Sequence, residues 1–208
     1  MRSIYQRLVQ WGFERLYHEL AWSYDLVAAA VSRGYWRHWI AAVLPYLQGG
    51  GVLEVGCGTG YLQLALAGTP IPHIGYDASR EMLRQAARRL RRAGYEPGLL
   101  RGRAQALPFP AASLTDVVAT FPAPYILQPA TLGEIRRVLQ GGGQLLIVDG
   151  GQIEDGGLYK AAVDVAVRAT LQGEAEDRYG KALKAAGFSV ERRRVVVGQS
   201  SVEIIIGR

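Results

Sequence analysis

From residue 51 onward, short apolar runs alternate with longer stretches in which apolar side chains recur every three or four positions. Such runs and periods predict strands at Val52–Val55, His73–Tyr76, Gly98–Arg101, Asp116–Thr120, Gln144–Val148, Val190–Val197 and Val202–Ile206. Between them they predict helices at Tyr61–Ala67, Arg80–Ala93, Ala130–Leu139, Leu158–Leu171 and Asp177–Ala186. Strands alternating with helices at these spacings describe an α/β protein with a doubly wound, mainly parallel sheet covered on both faces. The last two strands are separated only by Gly198-Gln199-Ser200-Ser201, which predicts a hairpin and one antiparallel strand at the sheet edge.

Residues 1–48 differ from the rest. They hold all four tryptophans, Trp11, Trp22, Trp36 and Trp39, and their spacing is helical, with a helix expected over Tyr35–Leu47 and Pro45 near its end. The expected division is an N-terminal helical cap at 1–48 and an α/β domain at 49–208. About half of the 208 residues are apolar, enough to bury a core, which excludes a disordered or collagen-like chain. No run predicts a membrane span and no secretory signal is read, so a cytoplasmic location is expected. The lone Cys57 suits a reducing compartment and cannot build a thiolate metal site. The formal charge of +6 comes almost entirely from arginine, since Lys160, Lys181 and Lys184 are the only lysines.

The strongest local signal is Glu54-Val55-Gly56-Cys57-Gly58-Thr59-Gly60, a buried strand running into a glycine turn and then a helix. Glycine permits positive φ and lets the backbone approach a ligand closely. The spacing is G-x-G-x-G, with Tyr61 where a dinucleotide fingerprint has its third glycine, and no lysine follows as a polyphosphate loop requires. Glu54 would repel a polyphosphate but suits a ligand bearing an ammonium group. Asp77 ends the second strand, where an acid can accept ribose hydroxyls. Ser79 is placed to cap the next helix.

Together these residues resemble the class I S-adenosylmethionine-dependent methyltransferases, in the group that includes the ubiquinone/menaquinone-type and related small-molecule enzymes. The resemblance spans 51–148. It rests on the glycine loop, on Asp77 with Ala78-Ser79-Arg80-Glu81-Met82-Leu83, on Leu107-Pro108-Phe109, on Asp116-Val117-Val118, and on Glu134 to Leu139 with Gly141-Gly142-Gly143. It implies a Rossmann-like sheet of seven strands in the order 3-2-1-4-5-7-6 and S-adenosyl-L-methionine as cofactor. It also implies roles. Gly56, Cys57, Gly58 and Gly60 would shape the methionine end, Glu54 would orient the amino group and Asp77 would hold the ribose. Ala78 and Met82 would flank the adenine, and Ala104 would meet it through its backbone. Arg103 stands where the family carries an acid, and a guanidinium only donates; the side-chain oxygen of Gln105 is the expected substitute.

Methyl transfer from a sulfonium is a displacement at carbon that needs positioning more than acid–base help, and no catalytic base is assigned. Phe121-Pro122-Ala123-Pro124-Tyr125 follows the fourth strand, and Phe121 is expected at the cofactor. It resembles the loop of amino-group methyltransferases but lacks their polar first residue, so a nucleic-acid base is not the expected acceptor. Tyr24, in Ala21-Trp22-Ser23-Tyr24-Asp25, is expected to contact cofactor or acceptor. The expected activity is methyl transfer to oxygen or carbon of a small molecule, with no metal, and oligomeric state stays open. Arg80, Arg84, Arg88, Arg89, Arg91, Arg92, Arg101 and Arg103 form a basic stretch that reads as a solvated face, or as a contact for RNA or a peripheral membrane surface. Two rival readings remain: a non-catalytic cofactor-binding or RNA-binding module on the same fold, and an NAD-dependent oxidoreductase.

Overall fold

The computed structural model describes residues 32–153 and 178–208. The helices expected before residue 32, Tyr24 among them, and the helix expected at Leu158–Leu171 lie outside the described residues. In chain order the elements are α1 (Trp36–Ala41), a 3-10 turn (Leu44–Tyr46), β1 (Val52–Val55), α2 (Tyr61–Ala67), β2 (His73–Asp77), α3 (Arg80–Arg92), β3 (Leu99–Arg101) and β4 (Leu114–Thr120). A second 3-10 turn (Pro124–Leu127), α4 (Pro129–Val138), β5 (Leu139–Ile153), α5 (Arg178–Ala185), β6 (Val190–Val197) and β7 (Ser200–Gly207) follow.

The seven strands form one sheet in the order β3-β2-β1-β4-β5-β7-β6, as the resemblance implied. The first five are parallel to their neighbours, and β7 runs antiparallel to both β5 and β6. Side chains alternate between two cores with the period of two that a strand imposes. Leu53, Val55, Val117, Ala119, Leu145, Ile147 and Ile205 face α4 and α5, whereas Val52, Val118, Leu146, Val148, Ile204 and Ile206 face α1 and α2. The topological switch lies between β1 and β4, so a crevice opens at their carboxyl ends.

Three boundaries differ from the sequence reading. The helix expected to reach Leu47 stops at Ala41, and Pro45 sits in the short 3-10 turn instead. Proline lacks an N–H and disfavours helix at the residue before it. Strand β5 is far longer than Gln144–Val148, running through Gly141–Gly143 and past Gly150-Gly151 with a register shift at each irregularity. Gly142 and Gly150 take positive φ, at 80° and 66°, at these register shifts, where glycine lets the strand continue through an irregularity. The final hairpin turns on two residues, since Val197 already pairs with Ser200.

Helix α1 belongs to the same core as the sheet. Trp39, Ile40 and Val43 are buried against β5 and β7, and the Trp39 indole N–H donates to Ser200 Oγ at 2.9 Å. A Cβ on Gly151 would lie 2.5 Å from the Trp39 ring, so that glycine makes the contact possible. The far end of this segment is tied down by Asp116, fully buried at the base of β4, which accepts from the Gln48 N–H at 3.0 Å and from Gln144 Nε2 at 2.8 Å.

Candidate functional site

The chain leaves β1 through a turn in which Gly56, Gly58 and Gly60 all have positive φ, at 76°, 51° and 82°. A side chain is strained in this left-handed region, so the three glycines fix the shape of the turn. The Gly60 N–H closes it on the Cys57 carbonyl at 2.9 Å, and the Gly56 N–H leans it on the Tyr76 carbonyl at 2.7 Å. Gly60 also abuts α3, where an added Cβ would lie 2.8 Å from Ala86 Cβ. Gly58 faces open space on its Cβ side.

Two carboxylates flank this turn in different environments. Asp77, at the end of β2 and half-buried, accepts from the Gly58 N–H at 2.9 Å and from the Ser79 N–H at 2.8 Å. Ser79 in turn caps α3, accepting from the Met82 N–H. Glu54 lies beneath the turn, 1% exposed. Its hydrogen-bond partners are neutral: Gln63 Nε2 donates at 2.9 Å and Thr120 Oγ1 at 3.1 Å. Burial pushes its carboxyl up from 4.5 to about 8, with a smaller contribution from the Asp77 charge and opposition from the two hydrogen bonds. Burial, followed by the Glu54 and Asp77 charges, also raises the Cys57 thiol well above its ordinary value. Cys57 is free, buried and inert as a nucleophile in that state.

The other expected contacts fall around the same end of the sheet. Met82 is buried, Ala78 is exposed beside Asp77, and Ala104 is buried in the loop after β3. The Tyr76 hydroxyl supports that loop, donating to the Ala106 carbonyl at 3.3 Å. Gln105 donates to Gln128 Oε1 at 2.8 Å, which leaves its own side-chain oxygen as an acceptor beside exposed Arg103. Phe121 follows β4 with φ +45° and stacks on Trp36 with ring centroids 4.3 Å apart. Positive φ on a bulky residue is uncommon, and here the ring stack and an N–H bond to the Val148 carbonyl at 2.7 Å hold it.

The structure adds contacts at the turn that the sequence reading did not assign. Gln63 is buried and leaves its Oε1 without a partner; its signal was a lone amide in the apolar run Leu62–Leu66. Thr120 reaches Glu54 from β4. Tyr125 sits on the turn, its hydroxyl donating to the Val55 carbonyl at 3.3 Å, and a Cβ on Gly56 would lie 2.1 Å from that hydroxyl. Arg89 crosses from α3 to donate to the Thr59 carbonyl, with its guanidinium 3.8 Å from the centre of the Tyr61 ring.

A methyltransferase-domain family profile matches residues 52–143. The chain is 33% identical over 143 residues to a demethylmenaquinone methyltransferase of Symbiobacterium thermophilum, covering 64% of this chain and 57% of that one. It is 30% identical over 169 residues to the demethylmenaquinone methyltransferase of Bacillus velezensis, covering 77% and 71%. The YcgJ protein of Bacillus subtilis shares the fold, with a TM-score of 0.62 at 17% identity over 82% of this chain and 97% of that one. With the glycine turn, the paired carboxylates and the strand order, these matches place the chain in the class I S-adenosylmethionine-dependent methyltransferases.

The site fits that cofactor. The donor set offers a buried carboxyl group whose hydrogen bonds come from neutral side chains, an orphaned buried amide oxygen, a turn open at Gly58, and an acid at the end of β2. No group of three or more His, Cys, Asp or Glu able to hold a metal occurs among the described residues.

Proposed function

We propose that this protein transfers a methyl group from S-adenosylmethionine to oxygen or carbon of a small molecule, in the reducing cytoplasm that suits its free Cys57. The carrying observation is Glu54, a carboxyl held beneath the glycine turn by an amide and a hydroxyl. An ammonium above the turn lowers the cost of ionising that carboxyl, whereas a dinucleotide pyrophosphate raises it. This is the physical reason for preferring the methyltransferase reading to the nicotinamide one.

The remaining assignments follow from position. Backbone groups of Gly56, Cys57 and Gly58, with the turn closed at Gly60, line the methionine end. Asp77, at the end of β2, takes the ribose hydroxyls. Ala78 and Met82 flank the adenine, and Ala104 and the Gln105 oxygen meet its edge. Phe121 borders the reacting end, and Tyr24 is its expected companion from the cap. When bound, the cofactor supplies a methyl already activated by a positive sulfur. The chain's own part is to orient it, hold the acceptor in line and exclude water. The names of the quinone relatives make a quinol-type ring the first acceptor to assay.

Calorimetry with S-adenosylhomocysteine and with NADH tests the reading. Binding of the former and not the latter is expected, and the reverse overturns it. Asp77→Ala is expected to weaken S-adenosylhomocysteine by about 1.5–3 kcal/mol, the scale of a lost charged hydrogen bond. Wild-type affinity in that variant removes the ribose assignment.

A further inference from the structure

Helix α3 carries a feature that cofactor binding does not use. Arg80, Arg84, Arg88, Arg91 and Arg92 are exposed, while Met82, Ala86 and Leu90 are buried. At about 100° per residue the exposed positions spread over about 120° of the helix circumference along roughly 18 Å, opposite the buried side. Glu81 is the only acid in the helix, and it pairs with Arg84 at 3.4 Å. No ion pair or side-chain hydrogen bond joins Arg80, Arg88, Arg91 or Arg92 to another residue described. Arg89 is different, being turned inward onto Thr59 and Tyr61.

The ridge has a direction. It begins next to Asp77, at the mouth of the crevice, where exposed Arg101 and Arg103 extend it, Arg101 Nε donating to the Ala78 carbonyl at 3.1 Å. Along it, Glu81, Gln85, Arg88, Arg89, Arg92 and Ala93 line a cleft of about 480 Å³. Tyr95, just beyond its far end, is 38% exposed.

We propose that this arginine ridge docks the protein on an anionic lipid surface, with the crevice mouth at the bilayer. Long, flexible cationic side chains spread over one side of the helix can reach a plane of phosphate groups together, and an exposed tyrosine suits the headgroup level. A single-stranded nucleic acid needs, besides positive charge, successive aromatic rings on which its bases stack. The large apolar side chains exposed among the described residues are Tyr95, Leu100 and Val196, on three different elements or loops, and they make no such row. The proposal rests on the methyltransferase reading only for its purpose, which is delivery of an apolar acceptor such as a tailed quinol; the docking itself is measured without any acceptor.

The test is co-sedimentation with phosphatidylcholine vesicles containing or lacking phosphatidylglycerol. It compares the wild type with a triple variant, Arg88→Gln, Arg91→Gln and Arg92→Gln, and with the independent pair Arg80→Gln and Arg84→Gln. Binding is expected only with phosphatidylglycerol, weakening with salt. Each charge contributes roughly fivefold near an anionic surface, so the triple variant is expected to bind at least ~10-fold more weakly while S-adenosylhomocysteine affinity is unchanged. Equal binding to both vesicle types, no binding, unchanged binding of both variants, or displacement by polyuridylate at equal phosphate concentration overturns the proposal. A wild-type protein that binds S-adenosylhomocysteine but does not dock overturns the docking proposal alone, whereas absent cofactor binding in the wild type overturns the functional reading.

Discussion

Glu54 and Arg89 act on the glycine turn from opposite sides, and each has its own signature. Glu54 binds its proton more tightly in the folded chain, so between pH 4.5 and about 8 the folded state holds more protons than the unfolded one. Stability of the unliganded protein therefore falls as pH rises through that window. Glu54→Gln is expected to flatten that slope in urea titrations across the pH range, while weakening S-adenosylhomocysteine. An unchanged slope places the titration elsewhere. Arg89 satisfies the carbonyl of buried Thr59 from outside the loop. Arg89→Lys keeps the charge and loses the planar fork. It is expected to raise KM for S-adenosylmethionine roughly tenfold, the ~1.4 kcal/mol scale of one charged hydrogen bond, with kcat changed less than twofold. An equal loss in kcat with KM unchanged contradicts a positioning role.

Among the elements, α4 holds the loop before β4. Glu134 Oε2 accepts the Leu107 N–H at 2.7 Å and pairs with Arg137, whose hydrogen bond is the main reason its carboxyl lies below the ordinary value. Arg137 donates to the Phe109 carbonyl at 2.8 Å and to the Leu107 carbonyl at 2.9 Å. The two residues lie one turn apart and clamp Leu107-Pro108-Phe109 beside the Ala104–Gln105 stretch. Arg137→Ala is expected to lower Tm, read by thermal unfolding. It is also expected to weaken cofactor binding through the neighbouring loop, so a loss of stability with unaltered affinity limits the clamp to folding. The motif was visible in the sequence as Glu134 and Arg137 near Leu107-Pro108-Phe109, but its purpose was not, because the partners are backbone atoms about 30 residues away.

At the scale of the molecule, the cap and the sheet share one core. Trp39, Ile40 and Val43 fill the face formed by β5 and β7. A chain beginning at Gly49 exposes that face, and full removal of one large core residue alone costs about 3–5 kcal/mol. Such a truncation is expected to lose cooperative unfolding in circular dichroism. A sharp transition near that of the full chain instead supports residue 49 as a true domain boundary.

The sequence by itself determined the strand–helix order, the glycine turn, Asp77 at the end of β2 and the outward arginines of α3. These depend on side-chain periodicity and on glycine's freedom at positive φ, which are local properties. Tertiary structure decided what lies beneath and around the turn. The burial of Glu54 between Gln63 and Thr120, Tyr125 over Gly56, the aromatic contact of Trp36 with Phe121 and the reach of Arg89 each join residues from different elements. Packing of the helices on the twisted sheet brings those residues together, and the burial that results, not the residue type, gives Glu54 its raised proton affinity.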